Sequence, residues 1–382
     1  MSLLPLILGL LAAFAPLAID MYLPALPEMA MALGSDSGGA QLTIASYFVG
    51  MGLGQLIYGP LTDRFGRRPP LFVGVGLFLL ASLACALAQT LPQMVALRFV
   101  QALGGCAGMV VARAVVRDVA HLRDPVRLMG RLMLIMGVAP ILAPFMGGLL
   151  SAWLGWRAIF IFLALFAAAA LLLVALQLPE THAPERRLRQ RPRAILAAYA
   201  ALLADGRFLR PGLASGCAIA GMFAYIAGSP AVFMEVHGIA PGQYGIWFGI
   251  NAAGIIAGSQ ASGWLAERWG REVVFTRMLR AMAVAALGLV IATWLGQGFA
   301  VIFLCLFAYI AMLGVVLPLG TVLGMAHFAA LAGTASALLG TLQFGLGGLA
   351  GAVLGVWHDA SGLPMAVVIL GCSVMANLAW RR

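Results

Sequence analysis

The sequence contains no lysine and very few charges of any kind. Charged residues make up only 9% of its 382 positions, and all 23 basic side chains are arginine. Soluble domains carry about a quarter charged residues, whereas this chain is 63% hydrophobic with a mean hydropathy of +1.02. So few charges cannot cover a water-exposed surface. The composition therefore excludes a soluble globular protein and predicts an integral membrane protein.

Patterns that bind metals or nucleotides are also missing. The five cysteines lie in apolar runs without metal-ligand spacing, which predicts packing roles for Cys85, Cys106, Cys217, Cys305 and Cys372. No phosphate-binding glycine loop is present, so ATP is not expected to drive the protein. The histidines fall at the ends of apolar runs or between them, which argues against an intramembrane enzyme: His121, His182, His237, His327 and His358. We expect no catalytic residue, no bound metal and no cofactor.

Twelve apolar runs are long enough to cross a bilayer, which takes about 20 residues. They cover residues 3–24, 42–61, 70–88, 92–115, 128–150, 156–177, 208–234, 243–266, 274–296, 298–323, 331–354 and 363–380. If the spans cross the membrane one after another, every second loop lies on the same side. All arginines except Arg98 and Arg157 lie in the loops of one side, at the span ends that adjoin those loops, or at the C-terminus. The positive-inside rule predicts that this side, with both termini, is cytoplasmic. The net charge of +10 thus indicates topology and not nucleic-acid binding.

One long charged connection divides the spans into two groups of six. It covers residues 178–207, between a bundle at 1–177 and a bundle at 208–382. We expect a flexible linker that anchors the topology; the alternative is binding of anionic lipid at the inner leaflet. The loop sequence from Gly59 to Arg67 recurs in register from Gly263 to Arg271. The expected fold class is an all-α membrane protein with two pseudo-symmetric six-helix bundles around a midplane site.

The loop after the second span resembles a signature of major facilitator transporters. The match is carried by Gly59, Asp63, Arg64, Gly66, Arg67 and Arg68, which stand at the defining positions. The resemblance implies a gate that locks the two bundles together in the outward-facing state. Asp63 and Arg67 are expected to pair with Asp118 and Arg113 at the end of span 4. The other interpretation is a topology signal alone.

Two charges lie inside apolar runs, and an ionisable group at membrane depth is a functional hypothesis by default. Asp20 is near the end of span 1, about 25 Å along a helix that starts near residue 3, because each residue adds about 1.5 Å. Arg98 in span 4 is at a similar depth, so we expect it to pair with Asp20. Protonation of Asp20 would then free Arg98 for a substrate. A fixed structural ion pair is the alternative.

Further motifs narrow the resemblance to a subfamily. Span 5 contains Gly137, Pro140, Pro144, Gly147 and Gly148 in a pattern similar to the glycine–proline motif of antiporters, and its prolines are expected to bend the helix. Ala139 and Ala143 stand where that motif usually has glycine. Together with the stretches 20–27, 98–105 and 228–230, the pattern resembles the Bcr/CflA drug-resistance branch of twelve-span drug:proton antiporters. The resemblance implies proton-driven export of small drugs or of a metabolite.

Uncharged polar residues interrupt several spans and are expected to contact a substrate. They are Tyr22, Tyr47, Gln55, Gln101, Tyr225, Asn251 and Gln343. Tyrosine and amide side chains in an otherwise apolar cavity suit small, mostly apolar ligands. Each alone is equally consistent with a hydrogen bond between neighbouring helices.

The sequence is therefore interpreted as a proton-coupled efflux transporter in a bacterial inner membrane. Its expected partners are a drug-like substrate, protons and membrane lipid, and the expected state is a monomer. One alternative is export or uptake of a normal metabolite such as a nucleoside or an amino acid. An alternative of a different class is a substrate-sensing membrane receptor built on a transporter fold.

Overall fold

The computed structural model describes residues 4–119, 125–182, 192–328, 331–357 and 361–381. Within these ranges, the side chains of residues 37, 117, 125–137 and 192 are not described. The described chain is helical throughout and contains no strand. His121, His358, Arg382 and residues 183–191 of the predicted linker lie outside the described residues.

The described residues of the first half form seven helices. Their bounds are α1 Leu4–Asp20, α2 Leu26–Ala32, α3 Ser37–Phe65, α4 Arg68–Ala86, α5 Leu91–Asp118, α6 Pro125–Leu154 and α7 Arg157–Gln177. A short 3-10 segment, Leu23–Ala25, separates α1 from α2. Pro24 and Pro27 are the second residues of these two short segments, where a backbone N–H would have no partner within the helix. Span 1 is therefore interrupted directly after Asp20.

The second half begins with a linker helix and continues with six long helices. Their bounds are α8 Pro192–Ala204, α9 Gly206–Pro230, α10 Pro241–Trp269, α11 Arg271–Trp294, α12 Phe299–Met325, α13 Ala332–Val356 and α14 Leu363–Trp380. A π-helical turn, Ala231–Val236, extends α9.

Ten helical segments are long and apolar enough to cross a membrane. The first of these joins α1 and α2 into one segment, Leu4–Ala32. The two remaining long helices, α6 and α10, have 30 and 29 residues and pack against each other. The predicted all-helical architecture is confirmed, with twelve long segments, although the sequence boundaries fell short of several helix ends.

The repeated loop has the same backbone conformation in both halves. Gly66 follows α3 with φ +90°, and Gly270 follows α10 with φ +83°. Glycine adopts this left-handed region without the steric cost that a Cβ brings. Each glycine ends one helix and allows the next to start within two residues. We call the end of the bundle that carries these two loops the arginine-rich end.

The predicted flexible linker is wrong for the part that the structure describes. Residues 192–204 form helix α8, and its side chains Tyr199 and Leu202 pack into an apolar cluster with Phe208, Leu338 and Leu339. The apolar positions 195, 199 and 202 recur three to four residues apart, as on one face of a helix. The linker therefore contributes a structured wall at the arginine-rich end.

The opposite end is closed by contact between the two halves. Helices α6 and α10 meet there through small residues: Gly245 approaches the backbone of Pro144 and Phe145, and Gly249 approaches Ile141. Helices α3 and α13 touch along most of their lengths, from Leu42 beside Gly355 to Gly59 beside Ala337. Small residues allow helix backbones to approach closely in a membrane.

Candidate functional site

Asp20 lies at the last residue of α1, inside the bundle. Asp20 is only 4% exposed, and its carboxylate forms no hydrogen bond or ion pair with any described residue. The carboxylate is close enough to act electrostatically on three tyrosines, Tyr47, Tyr225 and Tyr244. Two of these belong to the second half of the chain. Asp20 therefore faces the interface between the two bundles.

Arg98 does not pair with Asp20 in this structure, so the predicted ion pair is wrong for this conformation. Its Nη2 donates to the carbonyl oxygen of Ala18 at 2.8 Å, and its Nη1 donates to Oε1 of Gln101 at 2.5 Å. The last carbonyls of a helix have no partner within that helix. Because α1 ends at Asp20, the Ala18 carbonyl is open to this external donor.

Two tyrosine rings enclose the Arg98 guanidinium. Its central carbon lies 4.3 Å from the ring centroid of Tyr22 and 4.3 Å from that of Tyr47. A guanidinium within about 6 Å of a ring centroid is attracted by the electrons of the ring face. Arg98 has no exposed surface, so the rings, the carbonyl and Gln101 replace its water. The cation is thus compensated without a carboxylate.

A chain of hydrogen bonds extends from Arg98 towards α4. Nε2 of Gln101 donates to Oγ of Ser82 at 2.7 Å, and Ser82 donates to the carbonyl of Phe78. Tyr22 is tied separately to Thr43, with 3.0 Å between their hydroxyl oxygens. Gln101 and Tyr22, both predicted to contact substrate, are therefore occupied in holding Arg98.

Predicted residues of the second half meet near Asp20. Nδ2 of Asn251 donates to the hydroxyl of Tyr225 at 2.9 Å, while Oδ1 of Asn251 is buried without a partner among the described residues. The hydroxyl of Tyr47 is likewise buried and unpartnered there. Buried polar groups are nearly always hydrogen-bonded. These two groups are available to a substrate or to water beside Asp20.

Gln343 and Gln55 do not join this group. Gln343 is partly exposed on α13 and forms no hydrogen bond with the described residues. Gln55 lies eight residues beyond Tyr47 on α3, about 12 Å along the helix axis. It faces a separate cavity at the arginine-rich end.

An aromatic stack at the bundle interface was missed from the sequence. The ring of Phe223 on α9 stacks on those of Phe48 on α3 and Phe344 on α13, with centroid distances of 4.1 and 5.3 Å, and the latter two centroids are 6.3 Å apart. Phe48 follows Tyr47 directly. The stack therefore begins one residue from Tyr47, which encloses Arg98, and it joins the two halves. Phenylalanine in an apolar span gives no signal that distinguishes a bridge from ordinary packing.

The charged loop after α3 forms an ion-pair network. Arg67 donates to Oδ1 of Asp63 at 2.7 Å and to Oδ2 of Asp118 at 2.8 Å, so the predicted pairing of these three residues is confirmed. Burial lowers the pKa of Arg67, but hydrogen bonds to Asp118 and Asp63 outweigh this effect and raise it overall. Arg68 donates to the carbonyl of Ala175, and Arg64 is exposed.

Arg113 is absent from that network, contrary to the prediction. Its only hydrogen-bond partner among the described residues is the sulfur of Met109, 3.4 Å from Nη2. It lies five residues before Asp118, whose carboxylate is occupied by Arg67 and Thr181. A five-residue step places two side chains on different faces of a helix. Arg113 points instead into the cavity described below.

A third acid completes the loop network and was missed from the sequence. Oε1 of Glu180 accepts the backbone N–H groups of Arg67 and His182, at 2.8 and 3.0 Å. Oε2 accepts the N–H of Arg68 at 3.1 Å, where α4 begins. The first N–H groups of a helix lack internal partners. Glu180 therefore ties the start of the linker to the start of α4.

Helix α6 is continuous from Pro125 to Leu154, through both Pro140 and Pro144. Gly147 lies so close to the residue after α1 that a Cβ there would collide with the carbonyl of Met21, next to Asp20. A Cβ on Gly148 would meet only ordinary contacts, the nearest being the Pro241 carbonyl at 3.4 Å. The predicted bend stays a prediction, and the side-chain surroundings of Gly137 are not described.

A cavity of about 600 Å³ opens at the arginine-rich end, and we call it the vestibule. It lies between the ends of α3, α5, α8, α12 and α13. Its polar wall includes Gln55, Asp63, Arg113, Tyr199 and Thr334. The bundle thus has a cavity at this end, while α6 and α10 meet at the other.

Comparisons with known proteins identify the family. The family model of the Major Facilitator Superfamily matches residues 8–352. The chain belongs to the major facilitator superfamily. It is 36% identical to the uncharacterised MFS-type transporter YdgK of Bacillus subtilis, over 98% of this chain and 93% of that protein. As a member of this superfamily it is a transporter and not an enzyme.

Relatives named for drug resistance confirm the predicted subfamily resemblance. The chain is 28% identical to a bicyclomycin resistance protein homolog of Haemophilus influenzae, over 98% of this chain and 94% of that protein. It is 33% identical to multidrug resistance protein D of Escherichia coli, over 88% and 84%.

Solved structures of this superfamily share the fold. The crystal structure of a D-xylose–proton symporter superposes with a TM-score of 0.75 at 17% identity, over 100% of this chain and 96% of that one. The nucleoside transporter NupG gives 0.75 at 14% identity, over 99% and 98%.

Proposed function

We propose that this protein exports small, mostly apolar drug-like molecules in exchange for protons, through alternating access. The observation that carries the proposal is the environment of Asp20, a carboxylate buried at the bundle interface without a cation or hydrogen-bond partner in the described chain. An ionised carboxylate in such a place is costly. It is therefore suited to take up a proton on one side of the membrane and release it on the other.

Substrate and proton are proposed to compete in the space around Asp20. The unpartnered groups of Tyr47 and Asn251 supply a hydrogen-bond donor and an acceptor there. The stacked rings of Phe48, Phe223 and Phe344 supply an apolar surface nearby. A substrate that binds these groups while Asp20 is ionised favours loss of the proton. The names of the drug-resistance relatives support substrates of this chemical class.

In the proposed orientation, the arginine-rich end and both termini face the cytoplasm of a bacterium. The positive-inside rule supports this assignment. The vestibule then receives the substrate from the cytoplasm or the inner leaflet. We propose a monomer surrounded by lipid, with the proton as coupling ion and no further cofactor.

Proton release on ligand binding tests this function. Detergent-solubilised protein in weak buffer would receive bicyclomycin, chloramphenicol and other neutral drugs, with binding measured independently by calorimetry. We expect a ligand that binds the wild type to release protons. The Asp20→Asn variant should release none, while Glu267→Gln, which removes an exposed acid, should behave as the wild type. A ligand that binds without release would contradict antiport, and release that survives Asp20→Asn would place the proton elsewhere.

A further inference from the structure

The vestibule contains a cation that no described residue neutralises. Arg113 is partly buried on its wall, and no acid among the described residues lies within ion-pair distance of its guanidinium. Arg67, by contrast, has two carboxylates, and Arg98 has a carbonyl, an amide and two rings. Arginine is rarely buried unless it is paired, and its planar fork of donors matches carboxylate and phosphate geometry. The unused donors of Arg113 point to an anionic ligand.

A helix terminus on another wall of the vestibule favours the same ligand charge. Helix α13 begins at Ala332, and Ala332, Gly333 and Thr334 of its first turn line the vestibule. No side chain of the described residues caps this terminus. The N-terminal end of a helix carries partial positive charge and attracts anions. Arg113 and α13 therefore contribute positive potential from two different walls.

Gln55 provides a further, independent observation. It lines the vestibule, is only 3% exposed and forms no hydrogen bond with the described residues. Its amide can donate to an oxygen of a ligand. Because the amide lines the vestibule and has no partner among the described residues, its polar atoms are open to a ligand there. Gln55 is thus suited to hold a carboxylate oxygen beside Arg113.

The acid on the same wall does not cancel this potential. Asp63 lies 2.7 Å from Arg67 and is engaged there. Arg64 adds a second positive side chain to the wall. Among the described residues that line the vestibule, two are cationic and one is anionic. The rest of the wall is largely apolar, including Ile57, Val110 and Met325.

We propose that the vestibule binds the anionic group of an amphipathic molecule, with Arg113 as its counter-ion, so that the transported substrates include aromatic carboxylates. Arg113, Gln55 and the α13 terminus hold the anionic group, and the apolar wall holds the ring. This inference rests on the proposed function for the direction of travel. The binding site itself can be tested without transport.

Matched ligand pairs test the inference. Salicylate, benzoate and 1-naphthoate, each with its neutral amide, would be titrated into protein in nanodiscs of phosphatidylcholine. We expect at least one carboxylate to bind the wild type roughly tenfold more tightly than its amide, as a charge-assisted hydrogen bond allows. Arg113→Gln should remove this preference, and Arg113→Lys should retain most of it. Arg268→Gln is the control, because it removes an exposed arginine at the same end.

Two outcomes would overturn the inference: a wild type that binds no carboxylate more tightly than its amide, or a preference that survives Arg113→Gln. The wild-type comparison requires no variant, so misfolding of Arg113→Gln cannot hide the first outcome. The same titration in nanodiscs that contain phosphatidylglycerol tests for competition by an anionic lipid. If the affinity for the carboxylate falls in the wild type but not in Arg113→Gln, the result would support the anion site and indicate that a lipid headgroup occupies it. Proton release by a neutral drug without any anion preference would reject this inference alone. A preference for the carboxylates, with no proton release by any bound ligand, would reject only the proposed antiport.

Discussion

Arg98 donates a hydrogen bond to the carbonyl of Ala18, 2.8 Å away, and not to the carboxylate of Asp20 two residues further along α1. The cation therefore keeps its partners whether Asp20 is ionised or protonated. In this conformation Arg98 holds the end of α1, while the carboxylate of Asp20 has no hydrogen-bond or ion-pair partner among the described residues. We therefore propose separate tasks for the two intramembrane charges.

This separation predicts opposite effects of changes at the two charges. Lysine has no planar face, so Arg98→Lys cannot both donate to Ala18 and stack between Tyr22 and Tyr47. We expect it to lower the free energy of unfolding by about 2 kcal/mol, the cost of a lost hydrogen bond to a charged group. Asp20→Asn should leave stability unchanged or raise it, because it removes an uncompensated buried charge. Thermal unfolding in detergent measures both. A stable Arg98→Lys beside an unstable Asp20→Asn would contradict this interpretation.

Asn251 should affect function more than stability. Asn251→Leu loses one hydrogen bond to Tyr225 but also removes a buried acceptor that has no partner among the described residues. Because these two effects oppose each other, we expect a change in unfolding free energy below about 1 kcal/mol. If Oδ1 binds substrate, the affinity of a transported drug should fall about tenfold. Calorimetry and thermal unfolding on the same sample separate the two. A large loss of stability with unchanged affinity would assign Asn251 to packing.

The helices could be predicted from the sequence, because hydropathy is a local pattern. The loop network was predicted from the motif that contains Asp63 and Arg67 and from the position of Asp118 at the same end of span 4. The pair of Asp20 with Arg98 could not be predicted in this way. Similar depth fixes the position along two helices but not the direction in which each side chain points. Only the packed structure shows that Arg98 points to the carbonyls at the end of α1.

Long-range contacts explain the other differences. Glu180 binds the start of α4 from a position 112 residues away in sequence, and no local pattern indicates that contact. Arg113 was assigned to the loop network because it is near Asp118 in sequence, yet it faces the vestibule. The aromatic stack unites three helices that lie far apart in the chain. Helix α8 was hidden because its short apolar pattern follows a run of arginines.

Glu180 predicts a stability effect at the arginine-rich end. Glu180→Gln replaces one carboxylate oxygen by an NH2 group, which cannot accept, so at least one of the hydrogen bonds from the N–H groups of Arg67, Arg68 and His182 is lost. We expect a loss of about 2 kcal/mol in unfolding free energy, because hydrogen bonds to a charged acceptor are lost. The matched control is Glu267→Gln, an exposed acid in the equivalent loop of the second half. Equal unfolding temperatures for the two variants would show that Glu180 contributes nothing specific.

Neighbouring glycines on α6 offer a matched test of closure at the end opposite the vestibule. A Cβ on Gly147 would collide with the carbonyl of Met21, whereas a Cβ on Gly148 meets only ordinary contacts. Gly147→Ala should therefore force α1 and α6 apart and disfavour the conformation closed at that end. Gly148→Ala should not. The structural change should be largest beside Asp20, because Met21 is its neighbour.

Labelling of a single introduced cysteine measures this closure. Gln41 is buried at the end opposite the vestibule. A cysteine at this position, in a chain whose five native cysteines are replaced by serine or alanine, therefore reports when that end opens. We expect Gly147→Ala to raise the rate of reaction with an impermeant maleimide several-fold and to lower drug export. Gly148→Ala should leave both unchanged, because the backbone of α1 is not displaced. If Gly147→Ala reacts no faster than Gly148→Ala, the contact with Met21 does not hold this end closed, and the α6–α10 contact alone must do so.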